Sequence, residues 1–160
     1  MIPDGVNLDD LALQLEEDSV AFGPFVPSGK VSDVEPGLID AVTHAGEGDF
    51  GSLGVVVLEH TPAHAPDLRD VAQDLLLSTG MDTIIVRTPE SGAVVSDVHS
   101  RAALEQAQYP LLGNPDLVGG VNAFVGEING WTVSWTSVLA VILVVLALTA
   151  LAVGVALRSS

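Results

Sequence analysis

The hydrophobic positions change their spacing along the chain, and each change marks an element. Leu8, Leu11, Ala12 and Leu15 recur at the helical period, with Asn7 placed as a cap and Asp10 three residues on. Val20 to Val26 is apolar but interrupted by Gly23 and Pro24, which suits a short edge strand. Pro27-Ser28-Gly29 reads as a turn. Asp33 to Ala45 returns to the helical period, with Val34, Leu38, Ala41, Val42 and Ala45 on one face. Leu53-Gly54-Val55-Val56-Val57-Leu58 has no polar side chain and is rich in β-branched residues, as a central strand covered on both faces should be.

Pro62 and Pro66 forbid regular structure in the loop that follows. Asp67 to Thr79 predicts a helix through Leu68, Val71, Ala72, Leu75 and Leu76, closed by Gly80. Thr83 to Val86 predicts a second central strand. Two strands around one amphipathic helix make a βαβ unit, expected to be right-handed. Pro89-Glu90-Ser91-Gly92 is a turn, and Ala93-Val94-Val95 returns beside the second strand as a hairpin. Arg101 to Tyr109 predicts a helix stopped by Pro110. Asn114-Pro115 predicts the start of another, with Leu117, Val121, Phe124 and Val125 on one face and Gly119 and Gly120 weakening it. Ile128-Asn129-Gly130 reads as a linker. The expected fold is a small α/β sandwich, a central mixed sheet flanked by helices, over residues 1–126, with a juxtamembrane linker at 127–136.

A different pattern closes the chain. No charge interrupts residues 138–157. At ~1.5 Å per helical residue, such a run covers the ~30 Å hydrocarbon core of a bilayer. A transmembrane helix is expected over 137–158, with residues 159–160 as a tail. Its one polar residue, Thr149, can bond back to a backbone carbonyl. Trp131 and Trp135 stand one turn apart where an interfacial aromatic belt lies, and Arg158 closes the run. Ala150 and Gly154 form one small-xxx-small pair, which permits close helix approach. Met1 to Asp10 has neither a basic n-region nor an apolar h-region. The anchor itself is therefore expected to carry the domain across. Arg158 is the only flanking cation, so the expected topology is single-pass, domain outside the cell membrane and C-terminus in the cytoplasm. A cytoplasmic tail-anchored domain is the alternative.

Charge narrows the partners. Five Lys and Arg face 21 Asp and Glu, a formal charge of −16. One of those five cations is Arg158, which closes the anchor, so the domain itself is more acidic still. Such a surface repels phosphate backbones, which excludes nucleic acid as a partner. There is no cysteine. Glu59, His60 and His64 bracket the proline-bearing loop after the first central strand, the edge where open α/β sheets usually bind ligands. They and Asp97 are weak candidates for a metal, since nothing in their spacing forces convergence. Ser96-Asp97-Val98-His99 holds the residue types of a hydrolase triad, but on a strand Ser96 and His99 would point to opposite faces. Asp9-Asp10 and Glu16-Glu17-Asp18 lack the alternation and glycine turn of a calcium loop, and no phosphate-binding glycine loop is present. No catalytic residue and no cofactor are assigned.

Three stretches carry a family resemblance. They are Gly54 to Leu58 with the proline loop and Asp67-Leu68-Arg69-Asp70-Val71-Ala72, then Thr83 to Pro89 leading to Asp97 and the Arg101–Ala107 helix, and finally the C-terminal span. In this order they resemble actinobacterial single-pass membrane proteins whose outer domain is related to the TPM fold. The resemblance implies an extracytoplasmic α/β domain. It also implies a role without chemistry of its own, the control of an NlpC-type peptidoglycan endopeptidase in cell separation. Some distant TPM relatives are metal-assisted phosphatases, so that activity is the alternative; an accessory subunit of an envelope complex is another. The acidic domain is expected to meet a basic surface on its partner.

Overall fold

The computed structural model describes residues 1–131 and 139–149. The chain divides into two units, Met1–Asn129 and Gly130–Ser160. The first contains α1 (Leu8–Asp18), β1 (Val20–Phe22), α2 (Ser28–Glu47), β2 (Leu53–Val57), α3 (Pro66–Thr79), β3 (Thr83–Arg87), β4 (Gly92–Ser96) and α4 (Arg101–Gly113), and all but the last two residues of α5 (Leu117–Trp131).

The four strands form one sheet in the order β1-β2-β3-β4. The first three are parallel, and β4 returns antiparallel to β3, pairing Ile85 with Val94. The mixed α/β sheet expected from the strand pattern is therefore present. Side chains alternate between two cores. Val20, Phe22, Val55, Val57, Ile85 and Val94 face the layer built by α2, α4 and α5. Ala21, Val56, Ile84, Val86, Ala93 and Val95 face α1 and α3.

One consequence breaks a common rule. The steps β1→β2 and β2→β3 run in the same direction across the sheet, yet α2 and α3 lie on opposite faces. The two crossovers therefore have opposite hands. The right-handed preference behind the expected βαβ unit holds for one and fails for the other.

Proline and glycine mislead at four boundaries. Helix α2 begins at Ser28, so Pro27-Ser28-Gly29 is a helix start, and Pro36 lies inside it. Pro36 is exposed, while Leu38, Ala41, Val42 and Ala45 are buried. Burial of that face outweighs one lost backbone bond. Helix α4 likewise passes Pro110 and ends at Gly113, because Ala107 and Leu111 are both buried. Helix α5 starts at Leu117, two residues after Pro115. Asp116 caps it, accepting from Val118 N at 3.2 Å and Gly119 N at 3.1 Å. The helix continues through Ile128-Asn129-Gly130 to Trp131, where a linker was expected. Ile128 extends the buried stripe of Val121, Phe124 and Val125 by one turn, and it is only 2% exposed. Gly120 is needed for close approach: a Cβ there would lie 2.9 Å from the Leu111 carbonyl oxygen.

In the second unit, residues 139–149 are helical. Their large apolar side chains, from Leu139 to Leu148, are exposed. Thr149 Oγ1 donates to the Leu146 carbonyl at 2.8 Å, the back-bond expected of it. Among the described residues no helix is long and apolar enough to cross a membrane. Half of the expected span 137–158 lies outside the described residues, as do Trp135, Ala150, Gly154 and Arg158.

Candidate functional site

A concavity of about 300 Å³ in the first unit opens beyond the carboxyl ends of β1 and β2. Three segments build it. Gly23-Pro24-Phe25 leaves β1, Leu58 to His64 leaves β2, and Pro3 to Val6 precedes α1. The loops are pinned by short bonds. Gly23 N donates to Val57 O and Leu58 N to Arg87 O, both at 2.8 Å. Thr61 Oγ1 donates to Thr88 Oγ1 at 2.8 Å.

Glu59, His60 and His64 all line this cavity. Their surroundings differ. Glu59 accepts from Lys30 Nζ at 3.0 Å, and both side chains are about a third exposed. The His60 ring stands edge-on to Phe25, with centroids 5.4 Å apart. His64 is exposed. Its carbonyl accepts from Asp67 N at 3.0 Å and opens α3. Asp67 also lines the cavity and takes a contact from the Met1 ammonium at 3.3 Å. Among the described residues no group of three or more His, Asp or Glu converges as a metal set.

Asp97 lies elsewhere. Its amide donates to Asp82 O at 3.0 Å, at the edge where β2 and β3 begin. The site candidates thus fall at opposite ends of the sheet. Strand β4 ends at Ser96, so the strand alternation expected for Ser96 to His99 does not extend past it. Ser96 Oγ donates to Asp82 O at 3.0 Å and accepts from Thr83 Oγ1 at 2.8 Å. His99 Nε2 meets the Phe50 carbonyl at 2.9 Å, and its ring packs on Phe50. Hydroxyl and imidazole are each committed to holding the strand entrances together, which is a structural task.

Sequence reasoning missed Phe25, Asp4 and Asp67 as cavity residues. Phe25 is 60% exposed, although large aromatics usually avoid water. The signal was available: an aromatic residue between Pro24 and Pro27 cannot continue a strand inward. The acids carry no such signal, because nothing in the spacing brings Asp4 near Asp67.

The cavity's chemistry is an apolar bed with an acidic rim. Leu58, Pro24, Pro62 and the Phe25 ring supply the bed, and Asp4, Glu59 and Asp67 the rim. It suits a cationic side chain with a long apolar stem.

Comparison with known proteins bears on the whole chain. The profile of a family described as membrane protein Rv1476 matches residues 1–160. Membrane protein Rv1476 of Mycobacterium tuberculosis is 30% identical over 110 residues, which is 68% of this chain and 58% of that protein. The chain thus spans less than two thirds of that relative's length. Among solved structures, the N-terminal domain of the cg2496 protein of Corynebacterium glutamicum is similar in fold. Its TM-score is 0.55 at 15% identity, over 84% of this chain and 88% of that one.

Proposed function

We propose, since the chain belongs to the Rv1476 membrane protein family, that it is a binding module tethered to the cell membrane. In this reading it controls an NlpC-type peptidoglycan endopeptidase in cell separation and performs no chemistry of its own. Residues 137–158 span the bilayer once, with Trp131, Trp135 and Arg158 at its interfaces. The TPM-like domain faces outward and residues 159–160 face the cytoplasm.

The observation that carries this reading is the strand-end cavity. Its exposed Phe25 and the Asp4 carboxylate fit an Arg or Lys anchor on a basic partner surface, beside Glu59 and Asp67, which are engaged by Lys30 and the Met1 ammonium. The surplus of 21 acids over five cations favours the same partner by steering its approach. A tether at the envelope adds effective concentration without new contacts. The exposed apolar helix at 139–149 supports that tether.

The test uses the full chain in detergent micelles and the purified endopeptidase. Binding is expected to weaken as salt rises. Phe25→Ala and Asp4→Lys are each expected to weaken it by about tenfold or more, which is ~1.4 kcal/mol. Binding indifferent to both substitutions contradicts the reading. Turnover of a phosphomonoester with calcium or magnesium, lost on Asp97→Ala, would favour the metal-assisted phosphatase instead.

A further inference from the structure

The carboxyl ends of the parallel strands open on both faces of the sheet. The strand-end cavity lies on the side of α1 and α3. A smaller cleft of about 100 Å³ lies on the side of α2 and α5. Val57, Pro115 and Leu117 give it apolar walls, and Lys30, Arg87 and Asn114 line it with donors. Its volume is below the ~300 Å³ at which pockets begin to hold a whole small molecule. It admits one functional group on a short stem.

The charge of this cleft runs against the rest of the chain. Five Lys and Arg stand against 21 acids, yet two of the five line the cleft and no Asp or Glu does. The neighbouring acids are placed elsewhere. Glu59, paired with Lys30 at 3.0 Å, lines the other cavity. Asp116 caps α5. Glu90 is exposed in the turn between β3 and β4.

Arg87 is the decisive residue. Strand alternation puts it on the same face as Ile85, and it is only 8% exposed. Its Nη1 and Nη2 donate to the carbonyls of Thr88, Ser91 and Leu112, which are dipoles and not counter-charges. Among the described residues it enters no ion pair. A buried guanidinium without a carboxylate is costly to the fold. Nε is given no partner by the described residues. Yet no buried side-chain nitrogen or oxygen among them is left unsatisfied, so Nε is open to solvent at a residue that borders this cleft. Two further features add positive potential. Asn114 Oδ1 accepts from Asp116 N at 3.0 Å, which fixes the amide and leaves Nδ2 as a donor. Lys30 stands in the first turn of α2, which begins without a side-chain cap and so presents the positive end of its dipole.

We infer that this cleft binds a carboxylate on a short aliphatic stem. The carboxylate supplies the counter-charge that Arg87 lacks. Lys30 and Asn114 add hydrogen bonds, and the stem lies against Val57, Pro115 and Leu117. A planar monoanion suits a guanidinium fork in so small a cleft. A tetrahedral phosphate dianion is bulkier, and the surrounding acids repel it more strongly. The carboxylate can belong to a free acid or to the chain end of a peptide. This site takes an anion on one face of the sheet and the strand-end cavity takes a cation on the other, so either assignment can fail alone.

The test uses the full chain in detergent micelles, with ionic strength held constant by sodium chloride. The Arg87 Nε–H resonance is followed by NMR as sodium propionate is added. It is expected to shift and to saturate in the millimolar range, as a fragment of this size permits. Propanamide, of the same shape without the charge, is expected to leave it unmoved. Inorganic phosphate is expected to bind at least about tenfold more weakly, and Lys30→Gln to weaken propionate binding by about tenfold. Propionate is also expected to raise the urea midpoint of the parent and to leave that of Arg87→Met unchanged. Acetyl-Val-Ala and its C-terminal amide separate the two sources. If the free-acid peptide binds more tightly than propionate and the amide does not bind, the site takes chain ends; if propionate binds as well or better, it takes free acids. A resonance that propionate does not move, or that propanamide or phosphate moves equally, overturns the proposal. So does a midpoint gain that persists in Arg87→Met.

Discussion

Ser52 and Asp82 close the entrances of β2 and β3 on each other. Asp82 Oδ2 accepts from Ser52 N at 2.8 Å and from Ser52 Oγ at 2.9 Å, and Ser52 Oγ accepts from Asp82 N at 2.8 Å. These bonds hold the Asp82 carboxyl below its ordinary pKa, with a smaller contribution from His99. A depressed carboxylate stabilises the fold above its unfolded pKa, and that stabilisation is lost as pH falls through the lower folded value. Both residues are partly open to water, so the effect is modest. Asp82→Asn is expected to cost about 1 kcal/mol at neutral pH. Denaturant melts across pH check this: the gap between parent and variant should close in acid, below about pH 4.

Gly51 makes that closure possible. Its φ is +94°, and a Cβ there would lie 2.7 Å from Asp82 Oδ2. Gly51→Ala is expected to destabilise by about 1–3 kcal/mol, from backbone strain and displacement of the carboxylate. Thermal melts should show a loss at least as large as that of Asp82→Asn.

Arg87 is a buried pin. Its Nη1 donates to Thr88 O at 2.7 Å and Ser91 O at 2.8 Å, and its Nη2 to Leu112 O at 3.1 Å. Burial pulls its pKa down, but a guanidinium keeps its charge at any physiological pH. Arg87→Met preserves the stem and removes a charged donor from three carbonyls, of which Ser91 O keeps its bonds from Thr88 N and Thr88 Oγ1. The expected cost is about 1–3 kcal/mol, read as a lower urea midpoint at unchanged slope.

Ile128 separates the helix from the expected linker. Ile128→Ala is expected to cost about 2–4 kcal/mol by opening a cavity beneath α5. A true linker position would cost almost nothing.

Much of the fold was legible because its strands are buried on both faces and its helices keep a strict apolar stripe. The run Leu53 to Leu58 and the set Leu68, Val71, Ala72, Leu75 and Leu76 announced β2 and α3, and both are buried as expected. The boundary errors lie at proline and glycine. Pro110 and Gly130 read as breaks and Pro115 as the first helical position, yet the burial of Leu111, the burial of Ile128 and the Asp116 cap set the boundaries. The opposite hands of the crossovers left no trace in the pattern, because no spacing encodes which face a helix chooses. Of the site, Glu59, His60 and His64 were legible from their loop. Phe25, Asp4 and Asp67 were not, since only the topology brings three distant segments to one strand end.

The central claim places the strand-end cavity against an endopeptidase outside the membrane. A photoreactive phenylalanine at position 25 of the full chain, irradiated in living cells, tests both parts at once. The account predicts a covalent adduct with the NlpC-type endopeptidase, diminished by Asp4→Lys. Adducts with cytoplasmic proteins alone, or none with the endopeptidase, would contradict it.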